Sequence, residues 1–299
     1  MRVLLTGASG YVGRHACDSL IARGIELHAV SRLPRPAVRG ITWRQAGLLE
    51  PGSSNRLIET IRPDAILHLA WDVTPGQYWT SPGNHAWRIA TGELARAAAN
   101  AGVTRFVGAG TCAEYDWSGG HCDEAATPLA PASLYGQSKL SAWREVEAAS
   151  GGSMRAAWGR LFYLFGGEEH PSRLVPSVAT SLLRGEPALC SDGLQVRDFL
   201  HVADAADALV ALLLSDADGP VNIASGESRA VKDIIDAVSS RLGRPDLVRL
   251  GARSSNEAPA VTASVARLRD AVRWRPSKQF DERMDETIAY WRKTRIKRV

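Results

Sequence analysis

The sequence predicts an α/β fold: a doubly wound parallel sheet with a smaller α/β domain toward the C-terminus. Three observations point there. An apolar run at residues 2–6 leads into glycines 7, 10 and 13, with helix-spaced apolar residues behind them. Strand-like and helix-like segments then alternate through about 165 residues, the pattern of parallel strands joined by crossover helices. Beyond residue 166 the pattern loosens around Pro171, Pro176, Gly185, Pro187 and Gly193.

RVLLT (2–6) is apolar and β-prone, and reads as the first strand. Residues 11–23 carry apolar side chains at helical spacing, and Gly24 closes that helix. ELHAV (26–30) is a second strand, LIETIR (57–62) a helix and AILHLA (65–70) a further strand. A long Ala- and Leu-rich helix covers 84–101, RFVGAG (105–110) is a strand, and 134–149 is a helix. Residues 155–166 form a strand running into a loop. A helix at 203–215 and a strand at 220–224 are expected to return to the sheet. The dinucleotide-type domain therefore spans 1–165 with 200–224, and the second domain spans 166–199 and 225–299.

Composition narrows the class. The chain has 299 residues, 45% hydrophobic and 23% charged, which is ordinary for a globular protein. The net charge is +4, part of it in the tail WRKTRIKRV (291–299), which reads as a frayed solvated end. No basic stripe interleaved with aromatics argues for nucleic acid. Cys17, Cys112, Cys122 and Cys190 are scattered, with neither CxxC pairs nor zinc spacing, so no metal is expected and the thiols read as reduced. The opening residues lack a signal-peptide pattern, and ALVALLL (208–214) is too short to span a bilayer. A cytoplasmic protein without membrane contact is expected.

The loop LLTGASGYVG (4–13) joins a strand to a helix. There, glycines let backbone N–H groups approach a pyrophosphate, and the helix N-terminus favours its charge. The alternative is a merely tight turn. The dinucleotide reading makes this a Rossmann-type sheet, with Gly7, Ser9, Gly10, Tyr11, Val12 and Gly13 around the phosphates. An acidic residue at the end of the second strand would hold a ribose 2′-hydroxyl. Here Ser31 and Arg32 occupy that place, a guanidinium that can meet a phosphate. NADP(H) is therefore expected over NAD(H), unless Arg32 is only a solvated loop charge.

In YGQSK (135–139), Tyr135 and Lys139 are four apart and share one helix face. An ammonium beside a phenol lowers its pKa, so Tyr135 could exchange a proton with a carbonyl or hydroxyl.

With these residues the chain resembles the extended short-chain dehydrogenase/reductases, the family of nucleotide-sugar epimerases, dehydratases and reductases. The resemblance rests on TGASGYVG (6–13), HLAW (68–71), Asn84, GTCAEY (110–115) and YGQSK. It continues through GRLFYLFG (159–166), LVP (174–176), RDFLHVAD (197–204), NIASG (222–226) and RWRP (273–276). It implies a catalytic hydroxyl four positions before Tyr115, which is Thr111, completing a triad with Tyr135 and Lys139. The other reading of Thr111 is a hydroxyl capping a turn. It further implies Leu48, Leu69, Ala70 and Trp71 along the cofactor. Thr111, Cys112, Tyr163, Leu174, Val175 and Arg197 would lie on the substrate side. Arg197 would meet nucleotide phosphates, or else form a salt bridge with Asp198 or Asp204. Trp71, Tyr78 and Trp79 either line the sugar pocket or serve as core or interface aromatics.

Departures matter as well. The Asp-Glu pair that family dehydratases use to eliminate water is here Cys112-Ala113, with Glu114 one position late. The family's Arg-x-Phe-Asn becomes Arg160 to Tyr163, and Gly47 stands where many relatives carry an adenine-contacting Asp. The expected function is an NADPH-dependent reductase of a nucleotide-linked keto-sugar, such as an NDP-4-keto-6-deoxyhexose, with Tyr135 as acid. The alternatives are an NAD-dependent nucleotide-sugar 4-epimerase and a non-catalytic dinucleotide-binding regulator. A homodimer through helices 84–101 and 134–149 is implied by the resemblance.

Overall fold

The computed structural model describes residues 1–152 and 154–296, so the last three residues of the basic tail lie outside the described residues. In chain order the first half contains β1 (Arg2–Thr6), α1 (Tyr11–Ala22), β2 (Glu26–Ser31), β3 (Ile41–Gln45), α2 (Ser53–Ile61) and β4 (Ala65–His68). Then come α3 (Gly83–Asn100), β5 (Arg105–Thr111), β6 (His121–Cys122), α4 (Leu134–Ala149), β7 (Arg155–Leu161) and β8 (Tyr163–Phe165). The second half contains α5 (Leu174–Arg184), β9 (Ala188–Leu189), β10 (Val196–His201), α6 (Val202–Leu214), β11 (Gly219–Ile223) and β12 (Ser228–Ala230). It ends with α7 (Val231–Leu242), β13 (Val248–Arg249), β14 (Ala260–Ala263), α8 (Ala266–Asp270) and α9 (Phe280–Ile296).

Seven parallel strands form the main sheet in the order β11-β7-β5-β4-β1-β2-β3. Successive side chains of β1 serve opposite faces. Val3 and Leu5 pack with Leu20 and Leu209 on the α1/α6 side, while Leu4 packs with Ile58, Leu94 and Phe106 on the other. Both faces are covered, which is why the inner strands read as unbroken apolar runs. Each such Leu contributes about 1.5–3 kcal/mol by leaving water. The strand order reverses at β1, whose neighbours are β2 and β4, and this opens a crevice beyond their carboxyl ends. The sheet is thus of the doubly wound, Rossmann type.

Sequence reading had no strand at Ile41–Gln45. β3 is the sheet edge, paired only with β2, and its residues are half-buried or exposed, so its apolar signal is weak.

Beyond β8 a second set of elements forms. β10 pairs with β8, β12 and β14, and α5, α7 and α9 close over a separate core that includes Val178, Leu182, Ile234, Val238 and Met284. Within this half, α6 packs on α1 and β11 pairs with β7 at the edge of the main sheet. Among the described residues, no helix is long and apolar enough to cross a membrane.

Candidate active site

The glycine loop is shaped by contacts that exclude side chains. Gly7 has φ +70°, and a Cβ there would lie 2.6 Å from the Leu69 carbonyl carbon. A Cβ on Gly13 would lie 2.0 Å from the Gly7 oxygen, so α1 can start hard against β1 only with glycine there. Gly10 caps α1 without any side-chain hydrogen bond, which leaves first-turn N–H groups directed at the crevice. A cleft of about 300 Å³ runs past Gly7, Gly10, Tyr11, Val12 and Gly13 to Leu69, Trp71, Thr111, Tyr135 and Lys139. A pyrophosphate-bearing dinucleotide fits this donor-rich glycine cradle.

Ser9, Ser31, Arg32, Leu48 and Ala70, also expected along a cofactor, do not line this cleft. Ser9 borders a separate cleft with Arg14, Arg35 and Trp43. Leu48 is buried in the core on the α2/α3 side, and the Ala70 amide donates to Thr6 Oγ1 at 3.3 Å. Ser31 is buried, and its hydroxyl accepts from Arg35 Nε at 3.2 Å and from the Leu33 amide at 3.3 Å. Arg32 is exposed.

Tyr135 sits in the first turn of α4. Ser133 caps that helix by accepting from the Gly136 amide at 3.1 Å. A Cβ on Gly136 would stand 2.2 Å from the Ala113 oxygen, so glycine brings α4 against the turn that follows β5. Tyr135 thereby comes against Thr111, with Tyr78, Trp79 and Trp71 edge-on at centroid distances of 4.9, 5.8 and 6.4 Å. Thr111 Oγ1 also accepts from the Ala113 amide at 3.2 Å, so the hydroxyl both caps a turn and faces the phenol. Lys139 Nζ donates to the Ala109 oxygen at 2.7 Å and lies 4.0 Å above the Trp71 ring. Burial pulls Lys139 down to about 7. Sequence spacing alone predicts an ammonium that lowers the phenol. Instead, burial, followed by Tyr78, raises Tyr135, while the Thr111 hydroxyl opposes them.

A second cleft of about 270 Å³ collects Tyr163, Leu174, Val175 and Arg197 with Gln195 and Glu257. Arg197 pairs with Glu257 at 3.0 Å, lies over the Tyr163 ring at 5.2 Å, and has no partner for its Nε among the described residues. It pairs with neither expected aspartate. Asp198 accepts from the Ser225 amide and hydroxyl and from the Gly226 amide, and Asp204 holds Arg283. Cys112 is buried and lines neither cleft. Sequence reasoning missed Glu169 and Arg173, which line both clefts. The segment GGEEHPSR has no periodicity to flag them, only two acids and a base just before LVP.

A family model described as "NAD dependent epimerase/dehydratase family" matches residues 3–224. The UDP-glucose 4-epimerase of Rhizobium meliloti (strain 1021) is 28% identical over 313 residues, covering 93% of each chain. That of Rhizobium leguminosarum bv. trifolii is 27% identical over 307 residues, covering 94% of each. Among solved structures, MoeE5 in complex with UDP-glucose and NAD superposes with TM-score 0.84 at 27% identity, covering 98% of this chain and 99% of that one.

Two expectations are corrected by these findings. NADP(H) is set aside because the MoeE5 neighbour holds NAD. In this chain Arg32 is a solvated loop cation and Arg35 occupies the Ser31 hydroxyl. The keto-sugar reductase is set aside because the full-length relatives are named 4-epimerases. It had rested on that same loop.

Proposed function

The chain belongs to the NAD dependent epimerase/dehydratase family, and we propose that it is an NAD-dependent nucleotide-sugar 4-epimerase acting on a UDP-hexose. The observation that carries this reading is the position of Tyr135. Its ring lies on the glycine-lined cleft, against Thr111, and that cleft shares Leu164, Glu169 and Arg173 with the cleft holding Arg197. Full-length similarity to UDP-glucose 4-epimerases supports the substrate class.

NAD, bound along Gly7 to Gly13, would supply a reversible two-electron acceptor. Tyr135 would act as the phenolate, taking the proton of the sugar hydroxyl as its carbon is oxidised and returning it when the carbon is reduced on the other face, so the positive charge of bound NAD must offset the burial that raises the phenol. The Thr111 hydroxyl orients the same oxygen. Lys139, with protons beyond the one given to Ala109, holds the nicotinamide ribose. Arg197, whose Nε has no partner among the described residues, meets the nucleotide phosphates beside Tyr163, Leu174 and Val175. Trp71 and Tyr78 wall the sugar side, and Trp79 stacks behind Tyr78. Cys112 and Ala113 replace the Asp-Glu pair with which family dehydratases eliminate water, which disfavours that reaction.

The assay is interconversion of UDP-glucose and UDP-galactose by the purified protein, with the dinucleotide released on denaturation identified by mass spectrometry. Interconversion with NAD released is expected. No turnover across a panel of UDP-hexoses would overturn the reading. A homodimer is proposed through α3 and α4, which pack on each other and leave Ile89 exposed. Light scattering should give twice the chain mass.

A further inference from the structure

The wall shared by the two clefts holds a carboxyl that the reaction above does not use. Glu169 is 7% exposed and follows β8 in the loop before α5. Its Oε1 lies 3.6 Å from Arg173 Nε, and its Oε2 has no partner among the described residues. The Tyr11 hydroxyl, on the first residue of α1, is likewise buried without a partner among the described residues. The two groups feel each other: burial first, and the Glu169 charge next, push the Tyr11 phenol up. Burial raises Glu169 itself to about 8, against the opposing pull of Arg173. Arg173 also reaches Tyr78, whose ring stands edge-on to Tyr135 at 4.9 Å.

Buried polar atoms left unpaired are costly, and native proteins retain few of them. Both groups line the glycine-lined cleft, and Glu169 lines the second cleft as well, so one ligand in the first cleft can satisfy both. A phosphate is repelled once the carboxyl ionises, whereas a hydroxyl serves it in either protonation state. A sugar hydroxyl donates and accepts at once, which suits both groups.

We propose that Glu169 and Tyr11 form a hydroxyl-binding subsite for a sugar ring where the two clefts meet. The inference rests on the epimerase reading for its two candidate rings, a ribose of the dinucleotide and the hexose of the nucleotide sugar. Their shared chemistry is a hydroxylated ring, and the experiment separates them.

Glu169→Ala is compared with wild type, both as purified, by two readouts. One is dinucleotide released per chain on denaturation. The other is calorimetric affinity for UDP-glucose relative to UDP. If the hexose is the ligand, the preference for UDP-glucose over UDP falls about tenfold, the scale of one buried hydrogen bond, and dinucleotide content holds. If the ribose is the ligand, dinucleotide content falls and the ratio of UDP-glucose to UDP affinity holds. Both readouts unchanged in a folded variant would overturn the subsite. Should Glu169→Ala fail to fold, Tyr11→Phe reads the same two quantities while keeping the ring. Failure of the epimerase reading shows separately, as absent turnover in wild type.

Discussion

Arg160 donates through Nε to Glu114 at 2.7 Å, and both side chains are almost fully buried, at 1% and 0% exposure. Glu114 Oε1 also accepts from the Thr111 amide and from Trp158 Nε1, each at 2.9 Å. Arg160 Nη1 donates to the Tyr115 hydroxyl at 2.8 Å, which in turn donates to Asn222 Oδ1 at 2.8 Å. One carboxylate therefore ties the end of β5 to β7, and the tyrosine extends the tie to β11. The residue that looked one position late for catalysis is an anchor beneath Thr111.

Breaking this pair from one side should be costly. Arg160→Met leaves a buried carboxylate uncompensated, with an expected loss of about 3–5 kcal/mol in urea unfolding. Glu114→Ala should behave alike, and the double variant should lose less than the sum of the singles. A loss below about 1 kcal/mol for either single variant, the range of exposed pairs, would mean the network adds nothing to stability.

Tyr135→Phe keeps the ring that packs edge-on to Tyr78 and Trp79 and removes only the phenolic oxygen. Epimerisation should fall at least ~100-fold, the scale of lost general acid–base catalysis, while dinucleotide content stays at the wild-type level. Both quantities come from one preparation, by turnover assay and by chromatography of the denatured protein. Wild-type turnover in the variant would remove Tyr135 from the mechanism.

How far the site could be read from the chain depended on whether local pattern or tertiary contact places each group. Val3, Leu4 and Leu5 announce a strand because both sheet faces are covered, and Tyr135 and Lys139 share a helix face by spacing alone. β3 is an edge strand and carries no such run. Glu169 and Arg173 lie around a loop, where no period marks them, and matter because two clefts meet at their wall. The partner of Arg197 is Glu257, 60 positions along the chain, rather than the neighbouring Asp198. Arg32 stands at the expected position beside the second strand, but its exposure is a property of the folded surface that sequence spacing does not contain.

That exposure leads to a further prediction. Arg32 offers its carbonyl to Gln45 Nε2 at 3.3 Å, a backbone contact that survives side-chain truncation. Arg32→Ala should therefore leave dinucleotide content and turnover within about twofold of wild type, because a solvated surface charge contributes little. Loss of the dinucleotide on this substitution would restore Arg32 as a cofactor ligand.

Lys139 makes stability depend on pH in a direction that can be worked out. Its burial, at 4% exposure, lowers it from 10.5 to about 7 in the folded chain. Below pH 7 both folded and unfolded chains hold the proton, so the cost of burying an ammonium is fully present. Between pH 7 and 10.5 the unfolded chain binds the proton more than the folded chain does, so stability contributed by this site rises with pH. Lys139→Met removes the titration. The unfolding free energy of the variant minus that of wild type should be greatest near pH 6 and shrink steadily by pH 9.5. A shift of this size corresponds at most to on the order of 5 kcal/mol. Urea unfolding of both proteins across that range measures it. A difference that stays constant with pH would mean that Lys139 remains protonated in the folded chain throughout, held charged by Ala109 and the Trp71 ring.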